Sequence, residues 1–264
     1  MPVHVAADGC RIHHDLYGEG GPTVLLLPGL GGDGRFWTGT AEGLAPDFRV
    51  IATDHRGAGR SDRPERAYSL ALIASDVAGL IAAQDGPVHL VGHSTGAAVA
   101  QMLAVAPPAN LASVTISCSW ARADARFRAI FEARAAILEA GLTEAYQALT
   151  DVFGHTPEYL DAREPALRAG RAAAADKLAP LDVTAARIRM LLAHDCLDDL
   201  PRVALPTLVL PAADDILLPP AMSHEIAAAI PGARLHSLPG GHFHPVADPG
   251  PMIAALRVFL SEVA

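Results

Sequence analysis

The segment that decides the fold has the sequence Val88-His89-Leu90-Val91-Gly92-His93-Ser94-Thr95-Gly96-Ala97-Ala98-Val99-Ala100. The run from Val88 to Val91 is short, mostly apolar and β-branched, which predicts a buried strand. From Ala97 to Ala106 all faces of the chain carry apolar residues, which is typical of a helix buried in a larger protein. Gly-x-Ser-x-Gly lies between them, so the sequence predicts a strand, a sharp corner at Ser94 and a helix.

The corner at Ser94 explains the two flanking glycines. A turn this tight forces the serine into a strained backbone conformation. Glycine at positions 92 and 96 removes Cβ atoms that would collide where strand and helix pack closely. The hydroxyl then stands at the helix N-terminus, where developing negative charge is stabilised. A serine that only capped the helix would not need both glycines, so we predict that Ser94 is a nucleophile.

Strands and helices alternate along most of the chain. Asp8-Gly9 predicts an N-terminal antiparallel hairpin. Further strands are predicted at 23–27, 49–54, 111–119, 205–211 and 233–238, and helices at 69–83, 220–230 and 249–263. This order predicts an α/β fold, a mostly parallel twisted sheet with helices on both faces.

Residues 121–200 depart from this alternation. They contain no convincing strand, and helices are predicted near 122–140, 143–153, 157–174 and 183–193, punctuated by Gly141, Pro157, Pro165 and Pro180. We therefore predict a helical cap over residues 121–200, inserted into a core formed by residues 1–120 and 201–264.

Composition and charge argue against several classes of protein. The net charge of −9 disfavours a nucleic-acid surface. No apolar run approaches the ~20 residues that span a membrane, and no secretory signal is expected, so we predict a cytoplasmic protein. Three cysteines, Cys10, Cys118 and Cys196, lack metal-like spacing and are expected to pack as small apolar residues. A small-molecule substrate is the predicted partner, without a nucleic acid, membrane, metal or cofactor.

A serine nucleophile needs a histidine base, and that base needs an orienting carboxylate. His242 follows two glycines that let its loop approach Ser94, so we favour it over His244. His93 adjoins Ser94, but its side chain is expected to point away from the corner. The chain order serine, acid, histidine suits a nucleophile at such a corner.

The acid is predicted in the turn that follows the strand at 205–211. Asp214 and Asp215 both lie there, and adjacent side chains point in different directions, so only one of them meets the histidine. We choose Asp215 and retain Asp214 as the alternative. The carboxylate would fix the imidazole tautomer and stabilise the imidazolium.

The glycine-rich segment from Pro28 to Gly34 follows another strand end. It has neither the dinucleotide-binding spacing nor a Gly-Lys-Ser/Thr ending. We predict that the backbone N–H groups of Leu30 and Thr95 form an oxyanion hole, although a flexible turn would also fit this segment. The charged segment 54–62 is interpreted as a structural turn.

Together these motifs resemble the α/β-hydrolase superfamily. The resemblance rests on Pro28-Gly29-Leu30-Gly31-Gly32, Asp54-His55-Arg56-Gly57-Ala58-Gly59-Arg60-Ser61, Gly92-His93-Ser94-Thr95-Gly96, Ala213-Asp214-Asp215 and Gly240-Gly241-His242. It spans the whole chain and is similar to the small hydrolases around 3-oxoadipate enol-lactonase and the aminoacrylate/carbamate hydrolase of pyrimidine breakdown. Pro28 departs from the superfamily, where histidine often precedes the glycine. The resemblance implies a cofactor-independent serine hydrolase of small esters, lactones or amide-like substrates.

Other activities would reuse the same residues. A carbon–carbon bond hydrolase or a cofactor-free oxygenase would employ His242 as a base on a different substrate. A non-enzymatic receptor of this fold would bind a small molecule without turnover.

Two features of the predicted cap bear on the substrate. Trp120, at the end of its strand, is expected to be either a pocket wall or a packing residue beneath the cap. Arg122, Arg126 and Arg128 would suit a substrate carboxylate, although such charges more often form a solvated helix face.

Overall fold

A computed structural model describes residues 2–65, 67–173 and 178–263. In that part of the chain, eight strands form one sheet in the order β1-β2-β4-β3-β5-β6-β7-β8. They are β1 (Val3–Val5), β2 (Arg11–Tyr17), β3 (Thr23–Leu27), β4 (Arg49–Thr53), β5 (Val88–His93), β6 (Leu111–Ser117), β7 (Thr207–Leu210) and β8 (Arg234–Leu235). Pairing is antiparallel from β1 to β2 and from β2 to β4, and parallel between all other neighbours. The predicted hairpin and mostly parallel sheet are confirmed.

Helices cover both faces of the sheet. Within the described residues they are α1 (Thr38–Leu44), α2 (Leu70–Ala82), α3 (Thr95–Val105), α4 (Ala125–Glu139), α5 (Thr143–Gly154), α6 (Pro157–Ala172), α7 (Leu181–Leu191), α8 (Pro220–Ala229), α9 (His244–Ala247) and α10 (Gly250–Val263). Helices α1 and α10 bury Leu44 and Leu256 in a cluster on one face. Helices α2, α3 and α8 bury Ile73, Val99 and Ile226 in a larger cluster on the other.

Several boundaries differ from the sequence predictions. Strand β8 has two residues instead of the predicted 233–238, because it lies at the sheet edge and pairs only with β7. Helix α1 and the preceding 3-10 helix Gly34–Trp37 were not predicted, since glycine and threonine make this segment a weak helix former. Tertiary packing of Trp37 and Leu44 stabilises it instead.

Helices α4 to α7 lie between β6 and β7, where the sequence predicts an insertion. Pro165 lies inside α6, as it does in the predicted helix over 157–174, and it does not interrupt the helix. The helix tolerates this proline because none of its residues is buried, so the carbonyl that loses its N–H partner can bond to water. The predicted helix end at Ala174 lies outside the described residues.

Candidate active site

Ser94 occupies the corner between β5 and α3. Its backbone has φ 53° and ψ −114°, a left-handed conformation that costs free energy in a residue with a Cβ. The Ser94 N–H donates a hydrogen bond of 2.8 Å to the Ser117 carbonyl on the neighbouring strand, which holds the corner in place. The predicted strand, corner and helix are confirmed.

The two glycines of this corner allow the backbones of α3 and its neighbouring strands to pack in direct contact. A Cβ at Gly92 would lie 2.4 Å from the Gly96 carbonyl oxygen. A Cβ at Gly96 would lie 2.4 Å from the Leu27 carbonyl oxygen of β3. Both distances are far below van der Waals contact, so the predicted need for glycine at both positions is confirmed.

His242 and Asp215 meet through a hydrogen bond. The distance from His242 Nδ1 to Asp215 Oδ2 is 2.7 Å, and both side chains are almost fully buried. Asp215 Oδ1 accepts hydrogen bonds from the N–H groups of Leu217 at 2.9 Å and Leu218 at 2.8 Å. Because a carboxylate only accepts, this geometry assigns the proton of the neutral imidazole to Nδ1 and leaves Nε2 as an acceptor.

The alternatives to these two residues lie elsewhere. Asp214, the other carboxylate of this turn, is exposed. His244 is buried, and its Nε2 is 3.3 Å from the Ser117 hydroxyl. Burial lowers the pKa of His244 to about 4, so this imidazole is neutral at physiological pH.

His93 does not point away from the site, contrary to expectation. Its ring centroid lies 4.7 Å from that of His242 and 5.0 Å from that of Phe36, on which it stacks. The reason is a partner on the next strand, because the Ser117 hydroxyl lies 3.1 Å from His93 Nδ1. Burial keeps the pKa of His93 well below its usual value. His93 therefore packs as a neutral ring beside His242.

The glycine-rich loop is anchored from below by the charged turn. Asp54 Oδ1 accepts a 2.6 Å hydrogen bond from the Gly34 N–H, and Oδ2 accepts one of 2.7 Å from the Arg60 N–H. The His55 N–H donates to the Gly32 carbonyl at 2.7 Å. The turn at 54–62 is therefore structural, as predicted. Its hydrogen bonds fix the position of the glycine-rich loop.

The loop approaches Ser94 closely. A Cβ added at Gly29 would lie 3.3 Å from the Ser94 Cβ. Within the described ranges, the Leu30 N–H makes no hydrogen bond. The Thr95 N–H belongs to the first turn of α3, where backbone donors have no partner inside the helix. Both predicted oxyanion donors are thus available for a ligand.

Ser94 and His242 line one cavity of about 220 Å³. The glycine-rich loop forms one wall, and helices α4 and α5 form the opposite wall. The remaining lining residues are Pro28, Gly29, Leu30, Gly31, Gly32, Asp33, Phe36, His93, Phe131, Arg134, Tyr146, Gln147, Thr150, Leu178, Leu217 and Phe243. The cavity therefore lies between the sheet and the insertion.

A family model described as alpha/beta hydrolase fold matches residues 22–246 of the chain. The chain belongs to this family. It is 33% identical over 261 residues to a protein of Caulobacter sp. (strain K31) provisionally named carbamate hydrolase RutD, with 96% of this chain and 97% of that protein covered. The resemblance and the fold class are therefore confirmed.

Solved structures show the same architecture. The enol-lactonase from Burkholderia xenovorans LB400 superposes with a TM-score of 0.89 at 23% identity, covering 98% of this chain and 100% of that one. An esterase from Thermogutta terrifontis superposes with a TM-score of 0.86 at 25% identity, covering 99% and 98%. The protein is an enzyme, a hydrolase of the α/β fold. No helix in the described part of this hydrolase is both long and apolar enough to cross a bilayer.

Of the two roles expected for Trp120, packing beneath the insertion is confirmed and the pocket wall is wrong, because the side chain does not line the cavity. The side chain is 1% exposed and packs on Phe127, with ring centroids 4.6 Å apart, and on His194 at 5.5 Å. Its carbonyl accepts a hydrogen bond from Gln101 on α3. The polypeptide turns at this position from β6 into the insertion, which directs the indole beneath α4.

Two groups of buried side chains have possible metal-ligating atoms that lie within 4.8 Å of one another. Cys118 lies near Asp215 and His242 in one group, and near His93 and His244 in the other. Burial and the Asp215 carboxylate raise the pKa of the Cys118 thiol well above its usual value, so it stays protonated. A metal needs the thiolate, and both Asp215 oxygens already accept hydrogen bonds. These groups are therefore better suited to hydrogen bonding than to metal ligation.

The arginine that reaches the cavity is not one of those considered from the sequence. Arg122 pairs with Asp195 and Asp198, Arg126 donates to backbone carbonyls, and Arg128 is exposed. Arg134 lines the cavity instead. Its spacing from Phe127 and Phe131 places it on the buried face of α4, which is the signal that identifies it.

Proposed function

We propose that this enzyme is a serine hydrolase of small esters, lactones or amide- and carbamate-like substrates. The observation that carries the proposal is the 2.7 Å hydrogen bond between His242 and Asp215, combined with the shared cavity of His242 and Ser94. A hydrogen-bonded acid–imidazole pair opposite a strained serine is the arrangement that activates a hydroxyl nucleophile.

In the acylation step, Ser94 Oγ attacks the substrate carbonyl carbon while His242 Nε2 takes the hydroxyl proton. The carbonyl π electrons move to oxygen and give a tetrahedral oxyanion. Collapse of this intermediate breaks the bond to the leaving group, which receives the proton from His242. Asp215 keeps the imidazole in the correct tautomer and stabilises the transient imidazolium.

In the deacylation step, a water molecule gives its proton to His242 Nε2 and attacks the acyl-enzyme. The second tetrahedral intermediate collapses, the bond to Ser94 Oγ breaks, and His242 returns the proton to the serine. In both steps the N–H groups of Leu30 and Thr95 donate to the oxyanion. The strained corner at Ser94 and the anchored loop keep these donors in position before the substrate arrives.

The cavity and the relatives support the proposed substrate class. A cavity of about 220 Å³ suits a small molecule, and its walls carry aromatic and aliphatic side chains around few polar groups. The relatives' names mention a carbamate hydrolase and an enol-lactonase, and carbamates and lactones both contain an acyl carbon bonded to a heteroatom. We therefore favour small esters, lactones and carbamate-like compounds over larger substrates.

The test combines a covalent probe with a substrate panel. A fluorophosphonate probe and a panel of p-nitrophenyl acetate, small lactones and carbamates are applied to the wild type, to Ser94→Ala and to Ser261→Ala. Ser261 is an exposed serine near the end of α10 and serves as the matched control. We expect the probe to label the wild type and the control at Ser94, and hydrolysis to fall to background only in Ser94→Ala.

Persistent labelling and hydrolysis in Ser94→Ala would refute the proposed nucleophile. Absent labelling of the wild type would favour the oxygenase alternative, in which Ser94 forms no covalent intermediate. Tight binding of a panel compound without any turnover would favour the receptor alternative.

A further inference from the structure

Helix α4 carries a buried arginine into the cavity. Arg134 is 5% exposed and lines the same cavity as Ser94 and His242. Its Nη2 donates hydrogen bonds to Tyr146 Oη at 3.1 Å and to Thr150 Oγ1 at 3.0 Å, and both acceptors are hydroxyl groups. Its Nε is buried without any hydrogen-bond partner in the described residues.

The charge of Arg134 has no anionic partner within the described residues. No carboxylate oxygen there lies within 4.0 Å of its guanidinium. The guanidinium stands 4.9 Å from the ring centroid of Tyr146 and 5.4 Å from that of Phe131. Cation–π contacts of this kind recover only part of the desolvation cost of a buried cation.

The carboxylates on and near the cavity walls are already paired with other arginines. Asp33, in the glycine-rich loop on the opposite wall, pairs with Arg35. Asp151, on the same helix as Tyr146, pairs with Arg171 at 2.6 Å. The positive charge of Arg134 is therefore the one that remains for a ligand on this wall.

Arg56, in the charged turn after β4, is a buried arginine of this chain that has carboxylate partners. Arg56 is 2% exposed, and its guanidinium bonds to Asp76 at 2.5 and 2.6 Å and to Asp8 at 2.9 Å. Arg134 is buried to nearly the same extent, yet it meets only hydroxyl groups and aromatic rings. A buried cation left open toward a substrate cavity is what an anion-binding subsite requires.

We propose that Arg134 binds a carboxylate of the substrate, so that this enzyme acts on small esters, lactones or related compounds that carry a carboxylate. The inference rests on the proposed hydrolytic function and specifies its substrate class. The planar guanidinium suits a carboxylate because it offers several N–H donors in one plane. Because Arg134 is 5% exposed, this pairing discriminates strongly against an uncharged analogue, which would leave the buried cation unpaired.

The experiment compares anionic and neutral esters of nearly equal size. Monomethyl glutarate and dimethyl glutarate place the carboxylate on the acyl side, and O-acetylglycolate and its methyl ester place it on the alcohol side. Hydrolysis is followed by titration of the released acid. We expect the wild type to show a kcat/KM about tenfold to hundredfold higher for the anionic member of at least one pair.

Three variants assign the preference to Arg134. Arg134→Met removes the charge and keeps a long side chain for packing on Phe131 and Tyr146. Arg134→Lys keeps the charge but loses the planar set of donors. Arg128→Gln removes an exposed charge from the same helix and is the matched control. We expect Arg134→Met to abolish the anionic preference, mainly through KM, Arg134→Lys to keep part of it, and Arg128→Gln to keep all of it.

Equal kcat/KM values for anionic and neutral esters in the wild type would overturn the inference, whether or not Arg134→Met folds. A preference that survives in folded Arg134→Met would overturn the assignment to this residue. Neutral esters cleaved through Ser94 without any anionic preference would leave the serine mechanism standing and refute only the carboxylate subsite. Absence of Ser94-dependent cleavage of any ester would refute the proposed function itself.

Discussion

Helices α3 and α6 show how differently the core and the insertion are built. In α3, nine of eleven residues are buried, and the corner at Ser94 directly precedes its first turn. In α6, none of the sixteen residues is buried. The position of α3 is therefore fixed from all sides, whereas α6 is constrained on one side only. This difference in burial allows the core to hold the proposed catalytic groups in fixed positions.

Ion pairs in the core and in the insertion differ in the same way as the two helices, because the core pair is more deeply buried. The core carboxylate Asp76 is 4% exposed and faces an arginine that is 2% exposed. In the insertion, the side chain of Asp151 is 7% exposed, but its partner Arg171 is 24% exposed. Water can therefore replace the partner in the insertion and not in the core. Substitutions at matched positions in the core and in the insertion test whether the core is the more tightly constrained region.

The largest effect is expected at the core carboxylate Asp215. In Asp215→Asn, the amide oxygen should accept from the N–H groups of Leu217 and Leu218, which turns the amide NH₂ toward His242. The Nδ1 atom must then accept, so Nε2 carries the proton and cannot act as a base. We expect kcat to fall by about 10⁴-fold with little change in folding. Steady-state kinetics on the best ester of the panel measure this.

Asp214→Asn is the matched control for this change, because Asp214 is the exposed neighbour in the same turn. Its kcat should remain close to that of the wild type. Similar losses in the two variants would mean that the turn, rather than the hydrogen bond to His242, matters for activity.

The next largest effect is expected in the free energy of unfolding, where Asp76→Asn should lose more than Asp151→Asn. Loss of the Asp76 charge leaves Arg56 buried with one carboxylate partner fewer, and we expect the free energy of unfolding to fall by about 3 kcal/mol or more. Loss of the Asp151 charge leaves a partly exposed Arg171, which water can solvate, and about 1 kcal/mol is expected. Urea unfolding monitored by circular dichroism measures both. Equal losses would contradict the proposed difference between core and insertion.

The same contrast explains what could be predicted from sequence. Ser94 and His242 stand in glycine-bounded corners, whose backbone requirements are visible in the residues themselves. Asp214 and Asp215 could not be separated, because the choice depends on which carboxylate receives the N–H groups of Leu217 and Leu218. That hydrogen bonding is set by the turn's three-dimensional path, which no local pattern encodes.

Prediction was weaker in the insertion, although its helices were located. Spacing of apolar residues predicts α4 and places Arg134 on its buried face. It does not show that this face meets a cavity, since that depends on how α4 packs against α7. Trp120 was assigned to the cavity as one of two possibilities, and its actual packing on Phe127 depends on the direction in which β6 enters α4. Helix α1 was missed because its stability comes from tertiary contacts rather than from its own residues.

A smaller effect is expected from adding one methyl group to α3. The Cβ of Gly96→Ala would lie 2.4 Å from the Leu27 carbonyl oxygen, and backbone cannot yield as a flexible side chain does. Helix α3 must then move away from β3 and carry the corner at Ser94 with it. We expect a loss of about 1–3 kcal/mol in the free energy of unfolding, together with reduced kcat. Unchanged stability would show that the sheet and α3 are less tightly fixed than their burial indicates.

The smallest effect, with the opposite sign, is expected from the same substitution in α6. A Cβ at Gly170 meets nothing within 4 Å, and the residue has a helical backbone without positive φ. Gly170→Ala therefore adds no clash and lowers the conformational entropy of the unfolded chain, so we expect a gain of about 0.5–1 kcal/mol. Thermal and urea unfolding beside Gly96→Ala measure the difference in sign. A loss of stability in Gly170→Ala would mean that this face of α6 is packed, and the contrast between the two helices would then be wrong.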